Sequence, residues 1–537
     1  FLEDQNDYTK AIEVAENLRW YYSAPGRKVD EYDLGGLYNL LGLLYHSQNK
    51  PDKAEKYYLA AMEIYERLVE KNADAYEPAL ATSYNNAGVF YDKQNLSDKA
   101  EKYYLAAIEI RERLVKKNAD AYEPYLAMSY NNAGAFYKKQ GQSDKAEKYY
   151  LAAIEIYKRL VKKNAEAYEP DLATSYNNAG AFYKDQGQSD KAEKYFLAAI
   201  EIQKRLVKKN ADAYEPDLAM SYNNVGAFYY KQNQSEKAER YNLAAIEIQK
   251  RLVKKNADAY EPALATSYNN AGAFYKKQGQ FEKAEKYYLA AIWIYERLVK
   301  KNADAYEPYL ATSYNNAGVF YSDHGQHEKA EKYYLAAIEI YERLVEKNAD
   351  AYEPDLAMSY NNAGIFYKDQ GQLEKAEKYY LSAIEIRERL VKKNVDACEP
   401  DLATSYNNAG VFYKKQGQSE KAEKYYLSAI EIRERLVKKN TDAFEPDLAD
   451  SYNNIGLFYK KQGQSEKAEK YYLAAIEIRE GLVKKNAAAY EPDLATSYLS
   501  YYLLKKDKTY LDKAYEIAKR RQDDPRCRDI VEFVESH

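Results

Sequence analysis

Cysteine is nearly absent from this 537-residue chain: Cys398 and Cys527 are the two. So few rule out a disulfide framework and fit a reducing compartment, which makes a cytoplasmic setting the expectation. An excess of one charge is missing as well. Lys plus Arg number 80 against 84 Asp plus Glu, a net of −4, so neither nucleic acid nor an anionic membrane is an expected partner. No apolar run comes near the roughly 20 residues that span a bilayer, and no signal-peptide pattern opens the chain. Histidine is scarce: of the 4 present, His324 and His327 fall at an expected turn and only His537 lies near Cys527. No metal-ligand cluster, glycine-rich phosphate loop or nucleophile elbow is present. Cys398 stands in a column otherwise filled by Tyr76, Tyr122, Tyr168 and Phe444, which makes it a packing position. No enzyme, no cofactor and no metal are therefore expected. The chain opens on Phe1, so it reads as a fragment or processed product whose preceding part would hold any activity.

What is there is repetition. Ten prolines, Pro78, Pro124, Pro170, Pro216, Pro262, Pro308, Pro354, Pro400, Pro446 and Pro492, follow one another at intervals of 46 residues. A period in this range marks a solenoid, in which each unit buries its apolar face against its neighbours and the array grows along one axis. One elongated domain is expected in place of the three or four that length alone suggests. It divides into a helix and connector at 1–30, with Pro25 and Gly26 in the connector, ten units over 31–490, and a degenerate last unit with a capping helix over 491–537.

Residues 123–168 serve as the type unit. Pro124 suits the first turn of a helix A running to Gln140, whose apolar face carries Leu126, Tyr130, Ala133, Gly134 and Tyr137. Gly141 follows, and its column is Gly or, at Asn49, Asn95 and Asn233, Asn. These residues most readily take a left-handed backbone, so the column predicts a helix C-terminus and tight turn. Helix B is predicted from about Asp144 to Lys163, with Asn164 as its stop. Gly134 costs its helix about 1 kcal/mol relative to Ala, offset by a close approach of Ala146 and Ala153.

The order Tyr130, Ala133, Gly134, Tyr137, Ala146, Tyr150, Ala153 resembles the tetratricopeptide repeat, a helix-turn-helix unit normally of 34 residues. The extra length, the Glu-Pro-Asp-Leu-Ala start at 169–173 and the Asn-Asn pair are similar to the longer kinesin-light-chain type. The chain departs from that type in carrying Ser143, Ser189 and Ser235 where an aromatic is usual. The resemblance implies an all-α, right-handed superhelical α-solenoid with helix A lining a concave groove, and a protein-interaction function.

If that groove exists, the stripe opposite the apolar face of helix A lines it. In the central repeats the stripe carries Asn131, Asn132, Ala135 and Lys138; Asn177, Asn178, Ala181 and Lys184; Asn223, Asn224 and Ala227; and Asn269, Asn270, Ala273 and Lys276. An asparagine offers both a donor and an acceptor to the main chain of an extended peptide. The pair admits a second role, in which one member bonds to the next repeat and sets the stacking. The Ala135 column is Ala in the middle and larger outside it, at Leu43, Val89, Val319, Ile365, Val411 and Leu457, which leaves most room at the centre. Met128, Met220 and Met358 share the stripe and adapt to varied side chains. The Lys138 and Lys139 columns hold twelve lysines against Asp92, Asp185, Asp323 and Asp369, a surplus of eight positive charges. A basic groove and an acidic ligand segment follow. The Lys and Arg clamp of tetratricopeptide co-chaperones has no counterpart, because Asn and Ala occupy those faces. Most of the 62 tyrosines fall in repeat columns and read as packing residues with a bonded hydroxyl.

The expectation is an interaction module that binds an extended acidic peptide. Two rivals are the sensor arm of a larger effector and a structural spacer that self-associates through its repeat ends.

Overall fold

One asparagine serves both ends of the junction from each helix B to the next helix A. In a computed structural model, which describes residues 5–22, 30–48, 50–522 and 524–536, every element among the described residues is a helix. Asn118 closes the helix Ser97–Lys117 by donating its amide to the Leu114 carbonyl at 2.9 Å. Its own side chain then accepts from the Ala121 amide at 3.1 Å and caps the helix Ala119–Lys139. One extended residue, at φ −151° and ψ 92°, thus satisfies an end of two helices. The predicted first turn at Pro124 is thereby corrected: helix A begins at Ala119, and Pro124 lies inside it. The proline removes a single intrahelical bond near the start of the helix, where the asparagine cap and the following two turns hold the backbone.

At the other end of helix A the left-handed expectation is met. Gly141 has φ 72°, and Asn95 and Asn233 stand at 54°. Asn49 and the Pro25–Gly26 connector lie outside the described residues. Helix B, Ser143–Lys163, follows directly. The same pair recurs with 21-residue helices up to Ser465–Lys485. The last helix A shortens to Ala487–Lys505, and Lys508–Arg520 and Pro525–Glu535 close the chain.

The core is aromatic and alanine-rich. Leu126, Ala133 and Tyr137 are buried as predicted, but so is Phe136, an unpredicted member. Its ring lies 5.5 Å from that of Tyr104 in the preceding repeat. Gly134 makes room for a ring, not for alanines: a Cβ there would stand 2.9 Å from Tyr150 Cδ1. Tyrosine hydroxyls find carboxylates, as Tyr137 does on Glu101 at 2.8 Å and Tyr130 on Glu112 at 2.7 Å. In most repeats the glutamate before the proline is buried and paired with an arginine of helix B, as Glu123 is with Arg159 at 2.6 Å and Glu307 with Arg343 at 2.6 Å. Removing one partner would strand a buried charge.

The chain clusters into two units. One comprises Phe1–Lys184, Ser189–Ala227 and Lys237–Leu356; the other comprises Asp185–Gln188, Phe228–Glu236 and Ala357–His537. Within the first, Asn348 Nδ2 donates to Gln94 Oε1 at 2.7 Å across 254 residues of sequence. Within the second, Asn440 and Asn486 bond to Gln186 and Gln232 in the same way.

Candidate peptide-binding face

The two adjacent asparagines of helix A part company. Asn131 and Asn177 are 9% and 3% exposed. Asn131 Nδ2 donates to Ser175 Oγ at 2.7 Å, Asn177 to Ser221, Asn223 to Ser267 at 2.6 Å and Asn269 to Ser313 at 2.8 Å. Each bond joins one repeat to the next. Of the two roles open to the pair, this column takes the stacking one: buried at Asn131 and Asn177 and half-buried at Asn223 and Asn269, it lies a step of about 100° from its neighbour, at the seam between helices A. Asn132, Asn178, Asn224 and Asn270 are only partly buried and stay on the stripe. Asn132 Nδ2 reaches Asn85 Oδ1 at 3.2 Å.

The rest of the stripe is open or half-buried. Ala135 is exposed, and Ala181, Ala227, Ala273, Lys138, Lys184 and Lys276 are intermediate. A pocket of about 380 Å³ gathers Ala135, Lys138, Asn178 and Ala181, with Lys139 and Tyr150 beside them. It exists because the alanines withdraw where other repeats carry Val, Ile or Leu. Lys184, Asn224, Ala227, Asn270, Ala273 and Lys276 stand at the matching positions of their own repeats, outside that pocket. Some of the charge is answered within the stripe, since Lys139 meets Asp92 at 3.1 Å and Lys276 meets Asp323 at 2.6 Å. In the second unit the surplus is felt directly: burial and the neighbouring Lys461, Lys415 and Lys368 lower the Lys414 pKa. At the start of the first unit, burial and Lys93 push His46 down to about 4.

One feature of this face escaped the sequence reading. Four residues after the alanine-isoleucine core of helix B, a single buried column holds Tyr, Arg or Gln, and Arg111 is one of its members. Arg111 is 2% exposed. Its Nη1 donates to the Tyr125 carbonyl at 2.8 Å and to Ser129 Oγ, and its Nη2 stands 3.4 Å from Thr82 Oγ1. Among the described residues no carboxylate pairs with it, and burial pushes its guanidinium down to about 10. It lies at the base of a 520 Å³ pocket walled by Tyr32, Leu40, Leu43, Thr82, Asn86 and Tyr125. Its signal in the sequence was the alternation of charged and neutral residues in a column that is otherwise core.

The model of the tetratricopeptide repeat matches residues 33–113 and then, in overlapping windows, 125–205 through 401–481. The chain belongs to the tetratricopeptide repeat family. Among solved structures, this tetratricopeptide repeat protein is similar to BtubC (BKLC) from P. vanneervenii at 28% identity, over 47% of this chain and 92% of that one, with a TM-score of 0.37. It is similar to aspartyl phosphate phosphatase F from Bacillus subtilis at 17% identity, over 74% and 94%, with a TM-score of 0.43. A Rap protein complexed with competence and sporulation factor matches at 16% identity, over 76% and 99%, with a TM-score of 0.45. No curated protein matches the chain. No described helix is long and apolar enough to cross a membrane, and the described residues hold no group of three or more potential metal-ligating side chains.

Proposed function

We propose that this repeat array is a cytoplasmic interaction scaffold that seats an extended, acidic segment of a partner protein along the helix A face of its first unit. The observation that carries this reading is the 380 Å³ pocket, where small side chains, a lysine pair and the partly exposed Asn178 converge. Alanine leaves room for a ligand main chain, Asn178 supplies a donor and an acceptor, and the lysines supply the field that favours carboxylates. The Asn131 column contributes indirectly, by holding successive helices A in register. Nothing favours the effector-arm alternative over the scaffold.

The test is fluorescence anisotropy with a panel of Asp- and Glu-rich 12-residue peptides against the chain and its Lys138→Glu/Lys184→Glu variant. Charge reversal is expected to weaken binding at least about tenfold and to flatten its salt dependence. Equal affinity in both proteins would overturn the reading.

A further inference from the structure

Resting on that peptide-face reading, we infer that Arg111 is the anchor of a carboxylate subsite, which takes an acidic group of the ligand between apolar neighbours. The chain contains its own version of the filled site. Arg479 occupies the same column as Arg111, bonds in the same way to the Asp493 carbonyl and Ser497 Oγ, and differs in one respect: its Nη2 is paired with Asp450. Asp450 holds the position that Thr82 holds before Arg111, 29 residues upstream in both cases.

Exposure says from which side the acid arrives. The Arg479 side chain is 6% exposed while that of Asp450 is 58% exposed, so a carboxylate standing on the open face reaches the buried guanidinium. At Arg111 the same place is held by Thr82, whose hydroxyl donates to the Pro78 carbonyl at 3.0 Å and offers Nη2 a neutral acceptor at 3.4 Å in place of a carboxylate. Nη1 is spent on the Tyr125 carbonyl and Ser129, which leaves Nη2 for the ligand, and a charge-assisted bond from it, as Arg479 Nη2 makes to Asp450, suits a carboxylate better than a neutral amide. Tyr32, Leu40 and Leu43 are exposed apolar walls beside it, and Asn86 is at hand for the ligand main chain. The fitting ligand is therefore a carboxylate flanked by aliphatic residues on an extended peptide. The acid can belong to an Asp or Glu side chain or to a chain end, and the chemistry at Arg111 is shared.

Two variants disarm the subsite with residues the chain already tolerates in these columns. Arg111→Gln copies the buried Gln203 and Gln249, and Thr82→Asp copies Asp450. The probes are three fluorescein-labelled heptapeptides: one blocked at both ends with a central aspartate between leucines, one identical but with asparagine, and one neutral throughout with a free C-terminal carboxylate after leucine. The full chain is expected to prefer a carboxylate probe over the asparagine probe at least about tenfold, a preference worth about 1.4 kcal/mol. Both variants are expected to lose it. Which carboxylate probe wins names the source of the acid. Thr82→Asp is also expected to raise the melting temperature, because it supplies the buried cation with a partner. Equal binding of all three probes by the parent chain, a preference that survives in both variants, or a lowered melting temperature in Thr82→Asp would each overturn the subsite. Lys138 and Lys184 are untouched in these variants, so binding of the acidic panel that still depends on those lysines would leave the broader reading standing.

Discussion

The seam between successive helices A and the open face beside it run side by side along the same helices, yet they vary in opposite ways from repeat to repeat. In the seam the same asparagine-to-serine bond is made by Asn131, Asn177, Asn269, Asn361 and Asn453. On the face, one column changes from Ala to Val, Ile and Leu, and another from Lys to Asp, His, Tyr and Ser. A stacking bond has to be repeated because every interface has the same geometry to satisfy. A face that meets a ligand of uneven shape and charge has no such constraint. Repetition inside one chain thus separates what holds the array from what gives each repeat its own surface.

The largest effect should come from breaking the seam at its aromatic core. Phe182, which lies against Tyr150 and Tyr183, is fully packed, and Phe182→Ala is expected to cost about 3–5 kcal/mol in urea denaturation. His46 sharpens the comparison in another way, since it stands at a face position of the first repeat but is half-buried beside Phe90. Its folded pKa of about 4 lies below the ordinary value of 6.5, so below pH 6.5 the unfolded chain takes up the proton first. Stability from this group is present above pH 6.5 and is lost as pH falls from there toward 4. Between pH 7 and pH 5 the loss should reach about 2 kcal/mol. His46→Phe should remove it, and an NMR titration that places the imidazole near 6.5 would refute the burial argument.

The adjacent asparagines supply the smaller, paired test. Asn177→Ala should cost about 1 kcal/mol, because one buried bond is lost while the unpartnered Asn177 Oδ1 disappears with it. Asn178→Ala should change stability by less than about 0.5 kcal/mol, as surface substitutions do, and weaken peptide binding. Equal destabilisation by the two would erase the distinction between seam and face.

Much of the architecture was legible because a solenoid repeats its instructions. The proline interval, the glycine and asparagine turn and the apolar period of both helices rest on backbone sterics and helical geometry, which act locally. The less legible parts all depend on contacts between repeats. Asn131 and Asn132 are chemically identical neighbours, and only the crossing of helices decides which one enters the seam. Gly134 announced a close approach, but the ring of Tyr150 that fills it is sixteen residues away. Pro124 looked like a helix start because the true cap, six residues before it, is an asparagine that also serves the preceding helix.

By itself the sequence determined that this protein is a helical array of 46-residue tetratricopeptide units with left-handed turns between helices A and B. Those features follow from interactions over a few residues, which any stretch of chain settles alone. The tertiary structure alone decided that Arg111 lies buried with no carboxylate partner among the described residues while Arg479 has one, and that Gln94 meets Asn348 across 254 residues. Such pairings depend on where the helices of distant or neighbouring repeats come to rest, and that is a property of the packed array.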